Sequence, residues 1–219
     1  MKNRFYMLCT RDTVGSNAAF HSKDGHGYST DISKAHVYTR EEAQAAWDMG
    51  RDIDQPISAF WVDGLAVFHV DSQVIPHESL IQDGCDDYVG YVKGKWDGND
   101  VYWLTDAYRP ITDFSLAKRF AQPDTTMGNV VWLPFSMANE KKRNTFRLSN
   151  FSARTMVQGP GLRIPDWLKK QRRRKGSSGK TRWNCPCCGK ISWQHNPYDY
   201  DGCLDWKCQE NRDRRGFDD

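Results

Sequence analysis

Up to Leu133 the chain is a series of short apolar runs punctuated by turn residues. Phe5-Tyr6-Met7-Leu8, ended by Arg11-Asp12, predicts a short strand. Ala18-Ala19-Phe20-His21 predicts its hairpin partner, ahead of the Gly-rich turn Lys23-Asp24-Gly25-His26-Gly27. In Thr39-Arg40-Glu41-Glu42 the threonine hydroxyl is placed to accept the Glu42 amide while the Glu42 carboxylate reaches back to the Thr39 amide, which is a capping box. Ala43, Ala46 and Trp47 then share one face and Gly50 supplies a left-handed stop, so a helix is predicted over 40–49. After Pro56, Ile57 to Val62 and Leu65 to Val70 read as strands joined by an Asp63-Gly64 turn. Tyr88 to Val92 and Val101 to Leu104 read as a second hairpin around Asp97-Gly98-Asn99-Asp100, and Val130 to Leu133 as a further strand. Several short strands, one strong helix and no regular alternation of the two predict an α+β fold around an antiparallel sheet.

The pattern contains an internal echo. Thr30-Asp31-Ile32-Ser33-Lys34-Ala35-His36-Val37-Tyr38 aligns with Thr112-Asp113-Phe114-Ser115-Leu116-Ala117-Lys118-Arg119-Phe120 at an offset of 82. Carried upstream, that offset pairs Tyr6 with Tyr88 and Phe20 with Tyr102. Thr-Asp can cap a helical turn, the small Ala lets that turn lie on a sheet, and the aromatic anchors the segment after it. Repeat units near 1–80 and 81–155 are therefore expected within a body spanning 1–158.

Beyond the body the character changes. Gly159-Pro160-Gly161 breaks regular structure, Ile164 to Leu168 reads as a last docking turn, and Lys169 to Gly179 is basic and then Gly/Ser-rich. The stretch 159–180 is thus expected to be a flexible basic linker, followed by a module over 181–211 and a tail over 212–219. Charge is divided the same way. Residues 169–219 hold 13 Lys/Arg against 7 Asp/Glu, whereas 1–168 hold 18 against 21. A basic segment on a mildly acidic body points to an anionic partner, and nucleic acid is the commonest. No run approaches the roughly 18 apolar residues of a membrane span, and the first residues do not build a secretory signal, so no membrane partner is expected and a cytoplasmic setting is.

Cysteine placement supplies the most specific chemistry. Cys9 and Cys85 stand alone, while Cys185, Cys187, Cys188, Cys203 and Cys208 fall within 24 residues, which reads as a reducing compartment with one metal site. Cys185-Pro186-Cys187-Cys188-Gly189 gives C-x2-C spacing followed by Gly, so that both thiolates face one ion. Cys203 and Cys208 complete a tetrahedral set for a structural Zn²⁺. The first half resembles the Cys-Pro-x-Cys-Gly knuckle of the zinc-ribbon family. The second half has C-x4-C where ribbons repeat C-x2-C, so Cys187 and His195 stand as alternative ligands. Around the cysteines, Lys169, Lys170, Arg172, Arg173, Arg174, Lys175, Lys180 and Arg182 are candidate phosphate contacts, with Arg212, Arg214 and Arg215 on the far side. Trp193 is a candidate for stacking on bases; Trp183, Tyr198, Tyr200 and Trp206 either stack or fill the module's small core.

Other signals are weaker. His69 and Asp71 alternate on a strand, with Asp63 and His77 nearby, and would serve a metal-dependent nuclease only if they converged on a site. His21 and His26 are expected to be solvated in their Gly-rich turn, and Asp83, Asp86 and Asp87 to be an acidic loop. No phosphate-cradling glycine motif is present. The segment Tyr6 to Trp47, with Thr10 to His21 and the Gly27 to Asp31 turn, resembles accessory proteins of tailed phages of enteric bacteria. That resemblance implies an intracellular role in host takeover or phage DNA metabolism and assigns no catalytic residues. The expected function is zinc-dependent binding of DNA or RNA; no residue pattern argues for enzyme chemistry, and a metal-dependent nuclease is the outsider. The alternative is a protein that inhibits a host enzyme or defence system through the α+β body.

Overall fold

Apolar, aromatic-rich segments at the start of the chain form its first antiparallel sheet. In the computed structural model, residues 3–23, 25, 27–107, 109–175 and 179–215 are described, without the side chains of Arg174, Lys175 and Arg215. The readings placed on His26 and on those three side chains fall outside the described residues. The chain divides into two units, Met1–Arg163 and Ile164–Asp219.

In the first unit, β1 (Phe5–Val14) pairs antiparallel with β2 (Asn17–His21), as the two apolar runs predict. The strand continues past the predicted run as an exposed ribbon. The short β3 (Tyr28–Ser29) extends the sheet beyond β2. Helix α1 (Arg40–Met49) starts at the predicted capping box: Glu42 N donates to Thr39 Oγ1 at 3.2 Å, and Thr39 N donates to Glu42 Oε2 at 2.8 Å. Gly50 is not left-handed, with φ −82° and ψ −167°. Its glycine serves closeness instead, because a Cβ there would lie 2.6 Å from the Ala46 carbonyl oxygen.

The predicted hairpin around Asp63-Gly64 does not form. β4 (Asp54–Ser58) pairs with β1, and α2 (Ala59–Gly64) comes next, before β5 (Val67–Val70) enters a different sheet. An unbroken apolar run hides its period. Ala59 and Val62, three apart, are buried, while Phe60 and Trp61 are exposed, which is helical spacing. Asp63 is no turn residue. It accepts from Arg4 Nη2 at 2.7 Å and from the Tyr6 hydroxyl at 2.9 Å.

The second half repeats this order. β6 (Tyr88–Asp97) pairs with β7 (Asp100–Trp103) and with β8 (Val130–Pro134), which leads through α3 (Phe135–Glu140) into β9 (Lys142–Thr145). The Asp-capped turns match: Asp31 accepts from Ser33 N and Oγ, and Asp113 accepts from Ser115 N and Oγ. Tyr38 pairs back onto Phe5 in one half, as Phe120 pairs onto Tyr88 in the other. The strands therefore match with Phe5, not Tyr6, at Tyr88, and Phe20 at Trp103, one residue away from a constant offset. Because side chains alternate along a strand, that single residue decides which of them face the core.

The halves are joined by exchange. β5 pairs antiparallel with β9 in the register Phe68↔Asn144, the equivalent position in each half, so a local two-fold axis passes there. Phe146, just past β9, packs with Leu8, Phe20 and Ile57 of the first half, and Val70 packs with Val89, Tyr91 and Trp103 of the second. The β1–β2 and β6–β7 turns meet as well. Leu148 N donates to Ser16 O at 2.9 Å, and Ser72 N donates to Asn99 O at 2.8 Å. Gly15 (φ 59°) and Gly98 (φ 63°) touch, and a Cβ on either would lie 2.5 Å from the other's amide nitrogen.

The second unit opens with α4 (Asp166–Lys175), then the hairpin β10 (Thr181–Asn184) and β11 (Ile191–Gln194), and ends in α5 (Gln209–Arg215). Asp166–Lys175, within the expected flexible linker, is therefore helix. Lys, Arg and Gln are good helix formers, Asp166 sits in the first turn, and Leu168 is buried while Lys169, Lys170, Arg172 and Arg173 are exposed.

Gly98→Ala is expected to destabilise the first unit by about 2–4 kcal/mol, from the left-handed backbone and the clash with Gly15 together. Thermal unfolding of the variant checks this.

Candidate metal centre

The hairpin of the second unit places the first cysteine pair. Thr181↔Gln194 and Asn184↔Ile191 fix its register, and the connection from Cys185 to Lys190 closes with Cys185 N on Lys190 O at 2.9 Å. Gly189, at φ 71°, lets the chain return so that its amide donates to Cys185 O at 2.9 Å. This tight loop points the amide of Cys188 at the Cys185 sulfur, 3.4 Å away.

The second pair arrives from a loop rather than from a second hairpin. Gln194, buried on the inner face of β11, accepts from Asp201 N at 2.7 Å and donates to Gly202 O at 3.0 Å. Asn211 of α5 donates through its side-chain amide to Cys203 O, and Cys208 N donates to Asp205 O at 2.9 Å immediately before that helix. The wider C-x4-C spacing thus accommodates a turn that leads into a helix. An ion pair between Lys190 and Asp205 ties the two cysteine loops together.

These supports bring Cys185, Cys188, Cys203 and Cys208 into one group whose sulfurs all lie within 4.8 Å of one another. Cys185 Sγ and Cys208 Sγ are 3.7 Å apart, and Cys188 Sγ and Cys203 Sγ are 3.6 Å apart. A disulfide needs about 2.05 Å, so these are four free thiols. A tetrahedron of sulfurs each ~2.3 Å from a central ion has edges of about 3.8 Å, close to these two separations. Cys187 and His195 are exposed and lie outside this group.

The electrostatics differ among the sulfurs. The amide of Cys188 donating to its sulfur holds the Cys185 thiol down to about 6, whereas burial, and then Cys188, push the Cys208 thiol up. Tyr200 packs its ring 6.1 Å from that of Trp183. Its buried hydroxyl has no hydrogen-bond partner of standard geometry, and burial, followed by Cys185, pushes its pKa up.

Of the other predicted residues, Lys169, Lys170, Arg172 and Arg173 are exposed on α4, with Lys169 Nζ 2.9 Å from Asp166. Lys180, Arg182, Arg212 and Arg214 are also exposed. Trp193, Tyr198 and Trp206 are exposed, so the small core takes only Trp183 and Tyr200 among the module's aromatics.

His69 and Asp71 form no open site. His69 is fully buried at the joint between the two halves of the first unit, with Nδ1 2.7 Å from Asp100 and Nε2 3.2 Å from Thr112 Oγ1. Asn17 and Thr145 close the same cluster, and Arg143 bridges Asp100 to Asp71. A substrate has no route to that ring. His21 is not simply solvated either, because it lies at the end of β2, 3.0 Å from Asp54. Asp87 of the acidic loop pairs with Arg119.

Comparison of the chain with protein-family models, with curated proteins and with solved structures finds no match. Gln194 and Asn211, which sequence spacing does not reveal, are the residues that seat the Cys203 loop.

Gln194→Ala is expected to weaken metal affinity by about 10–100-fold, as loss of a ligand-orienting partner does elsewhere. Competition with a chromophoric chelator measures it.

Proposed function

We propose that the chain is a nucleic-acid-binding protein whose second unit is a zinc-ribbon-like module held by one structural Zn²⁺ on Cys185, Cys188, Cys203 and Cys208. The observation that carries this is the sulfur group itself, spaced as a tetrahedral thiolate site requires, inside a unit with 13 Lys/Arg against 8 Asp/Glu. Four thiolates close the coordination shell, so the ion organises structure and offers no open position for catalysis. Exposed cations on α4 and on the module neutralise phosphates and release counterions, which supplies affinity for DNA or RNA without sequence readout. Like charges three and four apart on α4 repel one another, and an anionic partner relieves that repulsion. A reducing, cytoplasmic setting and a role in phage nucleic-acid metabolism accord with free thiols and with the sequence resemblance.

The alternative, inhibition of a host enzyme through the body, has exposed Phe60, Trp61 and Leu65 in its favour, the first two beside a groove of about 800 Å³. Nothing in that groove specifies an occupant, so the nucleic-acid reading stands.

Binding of the zinc-loaded protein to duplex DNA and RNA should weaken steeply with salt. Replacing Lys169, Lys170, Arg172 and Arg173 together with Gln keeps helix propensity and is expected to lower the slope of log K against log salt by roughly 3 to 4. Fluorescence anisotropy across a salt series checks this, and an unchanged slope would remove α4 from the interface.

A further inference from the structure

Strand β11 is inverted. Alternate side chains of a strand point to opposite faces, and apolar residues ordinarily take the inner one. Here Ser192 and Gln194 are buried, while Ile191 and Trp193 are 53% and 56% exposed. The inward polar residues are explained, because Gln194 seats the loop that delivers Cys203. The outward apolar ones have no such role among the described residues.

Register defines the surface they make. Arg182 lies directly across from Trp193, and Asn184 directly across from Ile191, so these four side chains share the outward face of the hairpin. Isolated exposed apolar residues are ordinary, but an indole and a branched aliphatic chain on one strand face, paired with a guanidinium and an amide, form a patch. Lys180, just before β10, is also exposed, and the unit carries an excess of cations. An acidic, flat, aromatic-compatible ligand fits this chemistry. In a duplex the base faces are covered by their neighbours, and a side chain approaching from a groove meets only edges and phosphates. An unpaired base offers its whole face to an indole, with the adjacent phosphate in reach of a cation.

We propose that the outward face of the β10–β11 hairpin takes unpaired bases of a single-stranded nucleic acid, with Trp193 as the stacking surface, Ile191 extending it and Arg182 on the phosphate. This rests on the nucleic-acid reading above and adds to it the strand state of the ligand. DNA and RNA share the required chemistry, and the sugar distinguishes them in the test.

The test uses the full-length zinc-loaded protein with short unstructured oligo(dT) and oligo(rU), and with DNA and RNA duplexes of the same length. Trp193→Ala is expected to weaken binding of at least one single strand by roughly 5- to 150-fold while leaving duplex affinity within about twofold. Trp193→Phe, which retains a ring, should recover most of the loss, and zinc content measured on each variant should stay equal to wild type. Undiminished affinity of Trp193→Ala for both single strands, or an equal loss on duplex, would overturn the proposal while leaving nucleic-acid binding in place. Failure of the unsubstituted protein to bind any of the ligands would overturn both.

Discussion

A group of four cysteine sulfurs that could hold a single ion takes the place of a hydrophobic core in the cysteine module of the second unit. Its buried cluster consists of Cys185, Cys203 and Cys208 with Tyr200 against them, and the other buried side chains of the module are Ser192, Gln194 and Asn211. Such a set buries little hydrocarbon, and ordering each residue costs about 1–2 kcal/mol of backbone entropy. Metal–thiolate bonding is what offsets that cost in modules of this size. The rest of the module is tied to the sulfur group: the Cys185–Lys190 turn closes the hairpin, the hairpin turns Trp193 outward, and Gln194 ties the Cys203 loop to the same strand.

The first unit solves its packing differently. Its two halves exchange Val70 and Phe146, so each completes the other's core, and the equivalent turns at Gly15 and Gly98 touch. Asn17, His69, Asp100 and Thr145 are buried where the halves meet. Removing one partner there would leave a buried charge or donor unanswered, which is far costlier than the net value of any one of the bonds. The His69 and Asp100 pair is therefore a feature of the joint, and its resemblance to a catalytic pair ends at its burial.

What was legible in the sequence was local. The capping box at Thr39 and Glu42 fixed α1 because its hydrogen bonds span four residues, and the β1–β2 and β6–β7 hairpins came from adjacent runs. The four cysteines were legible because ligand spacing is a short-range constraint. The pairing of β5 with β9 was not, since it joins residues more than seventy apart in sequence. α2 was missed because Phe60 and Trp61, apolar yet exposed, mask the spacing of Ala59 and Val62. α4 was missed because a cationic run resembles a solvated tether, although its residues favour helix. Gln194 and Asn211 gave no signal, as their roles exist only once the Cys203 loop is folded against them.

Zinc K-edge X-ray absorption on the full-length protein, purified under reducing conditions and assayed for metal content, is the decisive experiment. One zinc per chain with four sulfur neighbours at ~2.3 Å is the expected outcome. A protein without stoichiometric metal, or one whose ion is bound by nitrogen and oxygen in place of these sulfurs, would contradict it.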